Sequence, residues 1–231
     1  MLHLIHFPLC PHSRSIRLAL AEQGLPVELA LEEPWRWRPE FLAVNPAGHL
    51  PVLLRDGAAP LCGAYAISEY LADEQAHHPV EGHALPLFPG SAEDRAEVRR
   101  LVDWFHAKCD REVTRELIHE RYIAQVAGGR RNPPNSENLR AIATNLRYHL
   151  KYISYLADHR RWLAGDDLSF ADLAAAAHVS CLDYLGQMPW DDFPAARTWY
   201  VRLKSRRSFQ PLLADRLPGL APPAYYADLD F

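Results

Sequence analysis

The sequence predicts an α/β domain followed by a domain built only from helices. Apolar residues between Leu2 and Leu31 follow the spacing of a strand, a helix and a second strand, which form a parallel pair joined by a right-handed crossover. The pair Asp56-Gly57 between two short apolar runs is typical of a β-hairpin. Beyond residue 91, apolar residues recur at helical spacing. These three observations place the strands before the helical half.

The elements of the first domain follow from the apolar spacing and from the residues that end each run. The first run is stopped by Pro8, as expected of a short buried strand. Gly24 stands where a glycine often ends a helix, and the alternation after it indicates a second strand. The predicted elements are, in order, strand 2–7, helix 12–23, strand 27–31, a hairpin of strands 51–54 and 60–62, and helix 64–75.

The second half of the chain is predicted to hold five helices and a tail. Its sharpest signal is a capping box, in which Ser169 begins a helix and Asp172 reaches back to the Ser169 amide. We predict helices at 91–127, at 139–156, from 169 onward, at 195–205 and at 209–213. The predicted organisation is a domain at 1–77, a linker at 78–90, an all-helical domain at 91–215 and a tail without helical period at 216–231.

Composition limits the classes of function. The formal net charge of −4 is unlike that of proteins that bind nucleic acid through a basic face, so we predict no nucleic-acid partner. No window has the roughly 18 apolar residues that cross a bilayer, so we predict no membrane insertion. The four cysteines lie far apart, which favours free thiols in a reducing cytoplasm. We predict no metal site.

A cysteine at the start of the first helix is the first candidate for chemistry. The stretch Cys10-Pro11-His12-Ser13 places a thiol where the positive end of the helix dipole stabilises a thiolate. A reactive thiol is one interpretation of Cys10. The other is a small, half-buried apolar residue, with Ser13 acting only as a helix cap.

Two aromatic segments are candidates for contact with another protein. Trp35 and Trp37 alternate with arginines in an irregular loop, and both residue types are enriched at the energetic centres of interfaces. The alternative is a loop folded onto its own domain. The tail is richer in aromatic residues than a plain disordered end, so it either packs across the protein or docks on a partner. Its candidate contact residues are Tyr225, Tyr226, Asp228, Leu229, Asp230 and Phe231.

The order of elements resembles that of the cytosolic glutathione transferases over nearly the whole chain. Three motifs carry the resemblance, namely Cys10 to Arg14, the segment Asn45 to Leu53, and the capping box. The resemblance implies the glutathione-transferase fold, with a thioredoxin-like N-terminal domain, an all-α C-terminal domain and a cis peptide before Pro51. In such transferases the backbone at the position of Leu50 pairs with glutathione. A cysteine at the position of Cys10 supports thiol transfer through a mixed disulfide.

The resemblance breaks down where such transferases hold the γ-glutamyl end of glutathione. The usual segment L-x-E-S-x-A-I reads L-C-G-A-Y-A-I here, so Gly63 and Ala64 replace an acid and a hydroxyl. Loss of two hydrogen bonds to charged groups costs about 3–6 kcal/mol, or about two to four decades of affinity. We therefore expect weakened glutathione binding. The expected remnant of the ligand site is Cys10, Ser13, Leu50, Pro51, Gly63 and Ala64.

Segments of the second half are similar to those of alphaproteobacterial division proteins that share the transferase fold. These segments are Arg147 to Ile153, Asp158 to Gly165, and the tail from Pro222 onward. The resemblance implies a homodimer that binds filaments of the tubulin homologue FtsZ. We therefore expect a non-enzymatic protein without a cofactor that binds FtsZ polymer and regulates filament organisation at the division site. The alternative is a glutathione-dependent thiol transferase that uses Cys10.

Overall fold

A four-stranded sheet forms the first domain of the computed structural model, which describes residues 1–77, 85–127 and 133–229. The strand order is β2-β1-β3-β4. β1 (Leu2–His6) pairs in parallel with β2 (Glu28–Leu31) and antiparallel with β3 (Val52–Arg55). β3 pairs antiparallel with the two-residue strand β4 (Leu61–Cys62). The parallel pair and the hairpin are those that the sequence predicts.

Three helices complete the first domain. They are α1 (Pro11–Glu22), α2 (Pro39–Val44) and α3 (Ala64–His77). α1 and α2 both have proline in the first turn, where the missing N–H loses no helical hydrogen bond. α1 crosses over from β1 to β2 and packs against α3 on one side and against the helical domain on the other. It is therefore the element that joins the two halves of the molecule.

Helices form the second half. In order they are α4 (Ala92–Asp103), a π-helical stretch (Trp104–Thr114), α5 (Arg115–Ile118), a second π-helical stretch (His119–Ile123), α6 (Ala124–Ala127), α7 (Ser136–His159), α8 (Phe170–Tyr184), α9 (Pro194–Lys204) and α10 (Gln210–Leu213). The predicted helix at 91–127 thus exists, but much of it is wound as π-helix. Apolar spacing of three and four does not distinguish that winding from an α-helix. None of the helices among the described residues is long and apolar enough to cross a membrane.

The capping box at the start of α8 is present. Asp172 is fully buried, and its carboxylate accepts a hydrogen bond from the Ser169 amide at 3.2 Å, as predicted. It also accepts from the amide of Leu163 at 2.9 Å and from Trp199 Nε1 at 3.0 Å. α8 lies at the centre of the helical domain, and the alanines 174–177 along it are completely buried. One carboxylate therefore joins the start of this central helix to two neighbouring segments.

The tail differs from the prediction, which gave it no helical turn. Residues Ala224–Ala227 form a short 3-10 helix, and Tyr226 within it is completely buried. The reason is tertiary, since the turn is fixed by contacts with distant elements. The described part of the chain ends at residue 229, so Asp230 and Phe231 lie outside it, as do residues 78–84 of the predicted linker.

Candidate functional site

Cys10 stands at the start of α1, as the sequence predicts. Its backbone is extended, its amide donates to the carbonyl of Phe7 at 3.0 Å, and its carbonyl accepts from the Arg14 amide at 2.9 Å. The thiol is half-buried. Burial alone would lower the pKa of His12, but a hydrogen bond with the Cys10 side chain and the nearby Asp110 carboxylate raise it above its ordinary value. The chain thus retains a thiol paired with an imidazole, an arrangement that suits thiol chemistry.

Two further histidines beside His12 belong to a buried hydrogen-bond chain. Ser15 donates to the carbonyl of His12 at 2.9 Å, so its Oγ accepts from His106 Nε2 at 3.0 Å. His106 Nδ1 then accepts from His178 Nε2 at 3.0 Å, and Thr114 donates to His178 Nδ1 at 2.9 Å. Burial and the neighbouring His12 hold the pKa of both His106 and His178 well below the ordinary value. Both stay neutral and connect α1, the first π-helical stretch and α8.

The backbone part of the predicted ligand remnant is in place. The peptide between Leu50 and Pro51 is cis, and the Pro51 carbonyl accepts from the Gly63 amide at 2.9 Å. Burial raises the pKa of Asp110. The charges of His12 and His49 partly offset this and lower the pKa of Asp110. Asp110 of the helical domain therefore lies near the start of α1 and near the segment before Pro51, between which the resemblance places the ligand cleft.

The side-chain part of that remnant is missing. Gly63 has φ +89°, where residues with a side chain are strained, although a Cβ placed there would meet nothing within 4 Å. Ala64 is the first residue of α3 and is buried. Ser13 is completely buried, and its hydroxyl has no hydrogen-bond partner among the described residues. The cleft keeps its backbone but lacks the acid and the hydroxyl at positions 63 and 64.

The loop between β2 and α2 places its two tryptophans in different environments. Trp35 packs edge-on against Phe7, with the ring centroids 4.9 Å apart. Trp37 is 62% exposed and has a left-handed backbone with φ 49°. Its ring lies over Gly48, where a Cβ would come within 3.0 Å of Trp37 Cζ3. Trp35 therefore anchors the loop and Trp37 faces solvent.

Both arginines of the loop are paired with preceding acids. Arg38 donates to the buried carboxylate of Glu32 through Nε at 3.2 Å and through Nη2 at 2.6 Å. Arg36 forms an ion pair with Glu33. The charges beside Trp37 are thus largely balanced, which leaves the indole as the main apolar feature of the loop surface.

The tail residues divide between the interior and the surface. Tyr226 is completely buried, whereas Asp228 is exposed and Tyr225 and Leu229 are partly buried. The turn is held by Tyr226 N donating to Pro223 O and by Asp228 N donating to Tyr225 O, both at 3.0 Å. Tyr225 borders an open pocket of about 480 Å³ that is also lined by Met188, Trp190 and Arg197. Of the candidate contact residues that the structure describes in the tail, Asp228 is the most exposed.

Aromatic rings of the helical domain pack beside the loop and beside the tail in two groups. Beside the loop, Tyr122 lies 5.8 Å from Phe7 and 6.1 Å from Trp35. Beside the tail, Tyr184 meets Tyr226 edge-on at 5.2 Å. Burial raises the pKa of Tyr122, and the carboxylate of Glu33 raises it further. Each predicted contact segment is therefore packed on an aromatic residue of the helical domain.

Sequence reasoning missed three residues of these sites. Asp110 and Tyr122 are contributed by the helical domain, far along the chain from Cys10 and Trp35, and no motif marks them. Arg14 lies within the first motif, and its complete burial was not predicted. Arg14 lies one helical turn before the apolar Leu18, and this position was the available signal for its burial.

Comparisons with known proteins match the whole chain. The family profile described as "Glutathione S-transferase, N-terminal domain" matches residues 4–79, and "Glutathione S-transferase, C-terminal domain" matches residues 118–207. FtsZ-localized protein A of Caulobacter vibrioides is 45% identical over 231 residues, which cover 99% of this chain and 97% of that protein.

Two solved structures are similarly close. A glutathione S-transferase from Sinorhizobium meliloti 1021 superimposes with a TM-score of 0.93 at 47% identity and covers 100% of both chains. FzlA from C. crescentus superimposes with a TM-score of 0.92 at 44% identity, covering 100% of this chain and 99% of the other. Similarity at this level extends through both domains and the tail.

Proposed function

The chain belongs to the glutathione S-transferase family, and from that premise we propose that it is a non-enzymatic member that binds FtsZ polymer and regulates filament organisation in bacterial cell division. The observation that carries the proposal is the full-length similarity to a protein named for its localisation to FtsZ. In this proposal residues 1–77 and 91–215 act as the two domains, 78–90 as their linker and 216–231 as part of the contact surface. The protein acts in the cytoplasm at the division site and needs no cofactor.

The cleft supports a role other than glutathione conjugation. Ala64 supplies no hydroxyl and Gly63 no acid at the start of α3, where the family holds the charged end of glutathione. The left-handed backbone of Gly63 also disfavours any side chain at that position. A cleft that has lost two hydrogen bonds to charged groups binds that tripeptide about two to four decades more weakly.

The surface that the proposal assigns to FtsZ combines the loop and the tail. Its exposed members are Trp37 and Asp228, and Tyr225 and Leu229 are partly exposed. Trp37 is a large ring held in one position by the loop, so it loses little conformational entropy on binding. Trp35 anchors the loop against Phe7, and Tyr226 anchors the tail against Arg14.

Sedimentation with FtsZ polymer tests the proposal. The purified protein should pellet with polymer of FtsZ from the same organism. Trp37→Ala should weaken that binding by at least about 30-fold, as expected for an interface residue that contributes ~2 kcal/mol. Tyr65→Ala is the matched control, because Tyr65 is also an exposed aromatic residue, at 41%, but lies on α3 at the cleft. A wild-type protein that stays in the supernatant would overturn the proposal.

We assign self-association to an aromatic face of α7. Tyr148 and Tyr155 are 54% and 57% exposed, and Tyr152 lies between them on the same face. Trp104 packs on this face, 4.5 Å from the ring of Tyr152, and Lys108 Nζ lies 5.6 Å from the ring centres of Trp104 and Tyr148. Exposed aromatic rings in such a cluster favour burial against a second copy.

A symmetric dimer would explain how binding organises filaments. Two copies related by a twofold axis present two equivalent FtsZ surfaces and can bridge neighbouring filaments. Sedimentation velocity should give a dimer for the wild type and a monomer for Tyr148→Glu. A wild-type monomer at micromolar concentration would contradict the assignment.

The pairing of Cys10 with His12 favours one second candidate, a glutathione-dependent thiol transferase. In that reaction the Cys10 thiolate attacks a glutathione mixed disulfide, becomes glutathionylated and releases the substrate thiol; a second glutathione then reduces it and leaves as the disulfide. Mass spectrometry after incubation with oxidised glutathione decides between the candidates. A glutathione adduct on Cys10 together with turnover would favour the enzyme.

A further inference from the structure

The buried guanidinium of Arg14 holds the tail at Tyr226, which is completely buried. Arg14 Nη1 donates to the hydroxyl of Tyr226 at 3.2 Å, across 212 positions of sequence. That hydroxyl donates in turn to the carbonyl of Leu212 at 3.3 Å. Neither Arg14 nor Tyr226 has any exposed surface. The phenol therefore has both an acceptor and a charged donor inside the protein.

Arg14 is fixed in place independently of the tail. Its Nε donates to the carbonyl of Pro8 at 2.6 Å, and Nη1 also donates to Ser180 Oγ at 2.8 Å. Asp215 supplies the opposite charge, 3.7 Å from Nη2, and is itself held by Arg17 at 2.7 and 3.0 Å. The tail thus docks onto a preformed site made by α1, α8 and the segment after α10.

A second tyrosine holds the beginning of the tail. Tyr184 OH accepts from the Leu217 amide at 3.0 Å and donates to the Leu220 carbonyl at 2.8 Å. The segment from residue 217 to residue 226 is therefore attached at both ends. Tyr225 and Asp228 flank the second attachment, and the hydrogen bond between their backbones fixes their spacing.

We propose that Arg14 is a positioning residue for FtsZ binding, acting through Tyr226 to hold Tyr225 and Asp228 in their binding orientation. This inference rests on the proposed function. A tail released from Arg14 samples many conformations, and the apparent affinity falls by the fraction of time that it is docked. The motif that marks a catalytic helix in related transferases would here orient a protein-contact surface.

Amide hydrogen exchange and FtsZ sedimentation, measured on the same full-length variants, test the inference. Tyr226→Phe keeps the ring and removes its hydroxyl. Arg14→Lys keeps a buried cation but removes the guanidinium that donates to Tyr226. Each variant should raise exchange of amides 224–229 by about tenfold or more, as expected for loss of a hydrogen bond to a charged group. Exchange along α8 should stay unchanged. Tyr65→Phe, at an exposed ring on α3, is the matched control.

The double variant separates positioning from general destabilisation. If Arg14 acts through Tyr226, Arg14→Lys, Tyr226→Phe and the double variant should weaken FtsZ binding equally, by about tenfold, because the second change removes nothing further. Additive losses would overturn the inference, as would unchanged tail exchange or unchanged FtsZ binding by a freed tail. A wild-type protein that fails to pellet with FtsZ overturns the proposed function and the inference together, whereas failure of the inference alone appears only in the variants.

Discussion

Glu22→Gln should weaken the attachment between the two domains. Glu22 ends α1 and its carboxylate is 7% exposed. It accepts from Arg206 Nε at 2.6 Å and from Nη2 at 2.7 Å, and it also accepts from Ser208. Glutamine keeps the shape but removes the negative charge and turns one acceptor into a donor. The Arg206 guanidinium therefore loses its negatively charged partner, and one of its hydrogen-bond donors loses its acceptor.

The magnitude follows from the exposure of the two partners. A hydrogen bond to a charged group contributes about 1.5–3 kcal/mol when buried. Arg206 is 37% exposed, so water partly replaces the lost acceptor, and the free energy of unfolding at pH 7 should fall by about 1–2 kcal/mol. Glu74→Gln, at an exposed position on α3, is the matched control and should change it by less than about 0.5 kcal/mol.

The pH dependence gives the sharper test. Burial would raise the pKa of Glu22, but the hydrogen bonds from Arg206 and Ser208 lower it below the ordinary value of 4.5. The folded protein therefore favours the ionised form, and this stabilisation is present above pH 4.5 and lost as the pH falls below the folded pKa. The difference in unfolding free energy between wild type and variant, measured in urea, should be full at pH 7 and should shrink as the pH falls below 4.5. A difference that does not change with pH would refute the reasoning.

Three other substitutions or treatments follow from the same structure. Asp172→Asn should lower the free energy of unfolding by about 2–4 kcal/mol in urea titrations. The amide oxygen can replace Oδ1, which accepts from Leu163 and Trp199, but the amide nitrogen cannot accept from the Ser169 N–H as Oδ2 does. A loss under about 0.5 kcal/mol would contradict this. Ala64→Ser together with Gly63→Glu should raise the affinity for glutathione at least about tenfold, as measured by calorimetry. The left-handed backbone at residue 63 offsets part of the gain. Unchanged affinity would show that the missing acid and hydroxyl are not the cause of weak glutathione binding. Burial raises the pKa of Cys109 to about 12, so iodoacetamide at pH 8 should leave it unmodified in the native protein and label it in urea, as read by peptide mass spectrometry; native labelling would refute its burial.

The fold was predictable because its signals are local. The alternation in β2 and the reciprocal pair of Ser169 and Asp172 can be recognised within a few residues of sequence. The π-helical winding of Trp104–Thr114 was not, because apolar residues three and four apart fit either helix. Composition alone could not reveal which residues face outward.

The candidate site shows the same limit. Trp35 and Trp37 look equivalent in sequence, yet the packing of Phe7 on one and the left-handed backbone of the other place them in opposite environments. The burial of Tyr226 depends on Arg14, which lies 212 positions earlier. A local pattern carries no information on such a distant partner. The sequence could therefore indicate that the tail is a contact segment, but not which of its residues is buried and which is exposed.

The buried position of Arg14 has a consequence for how freely the first motif can vary. Cys10 is half-buried and belongs to no ion pair among the described residues. In a library of substitutions, small residues at position 10 should therefore be accepted without loss of expression. Arg14 and Arg17 converge on Asp215 in the interior, and a change at either leaves buried hydrogen-bond acceptors without their donor. Mutational tolerance should therefore drop sharply within one turn of α1, from the thiol to the first arginine. The family's signature would then persist in this chain through its packing rather than through its chemistry.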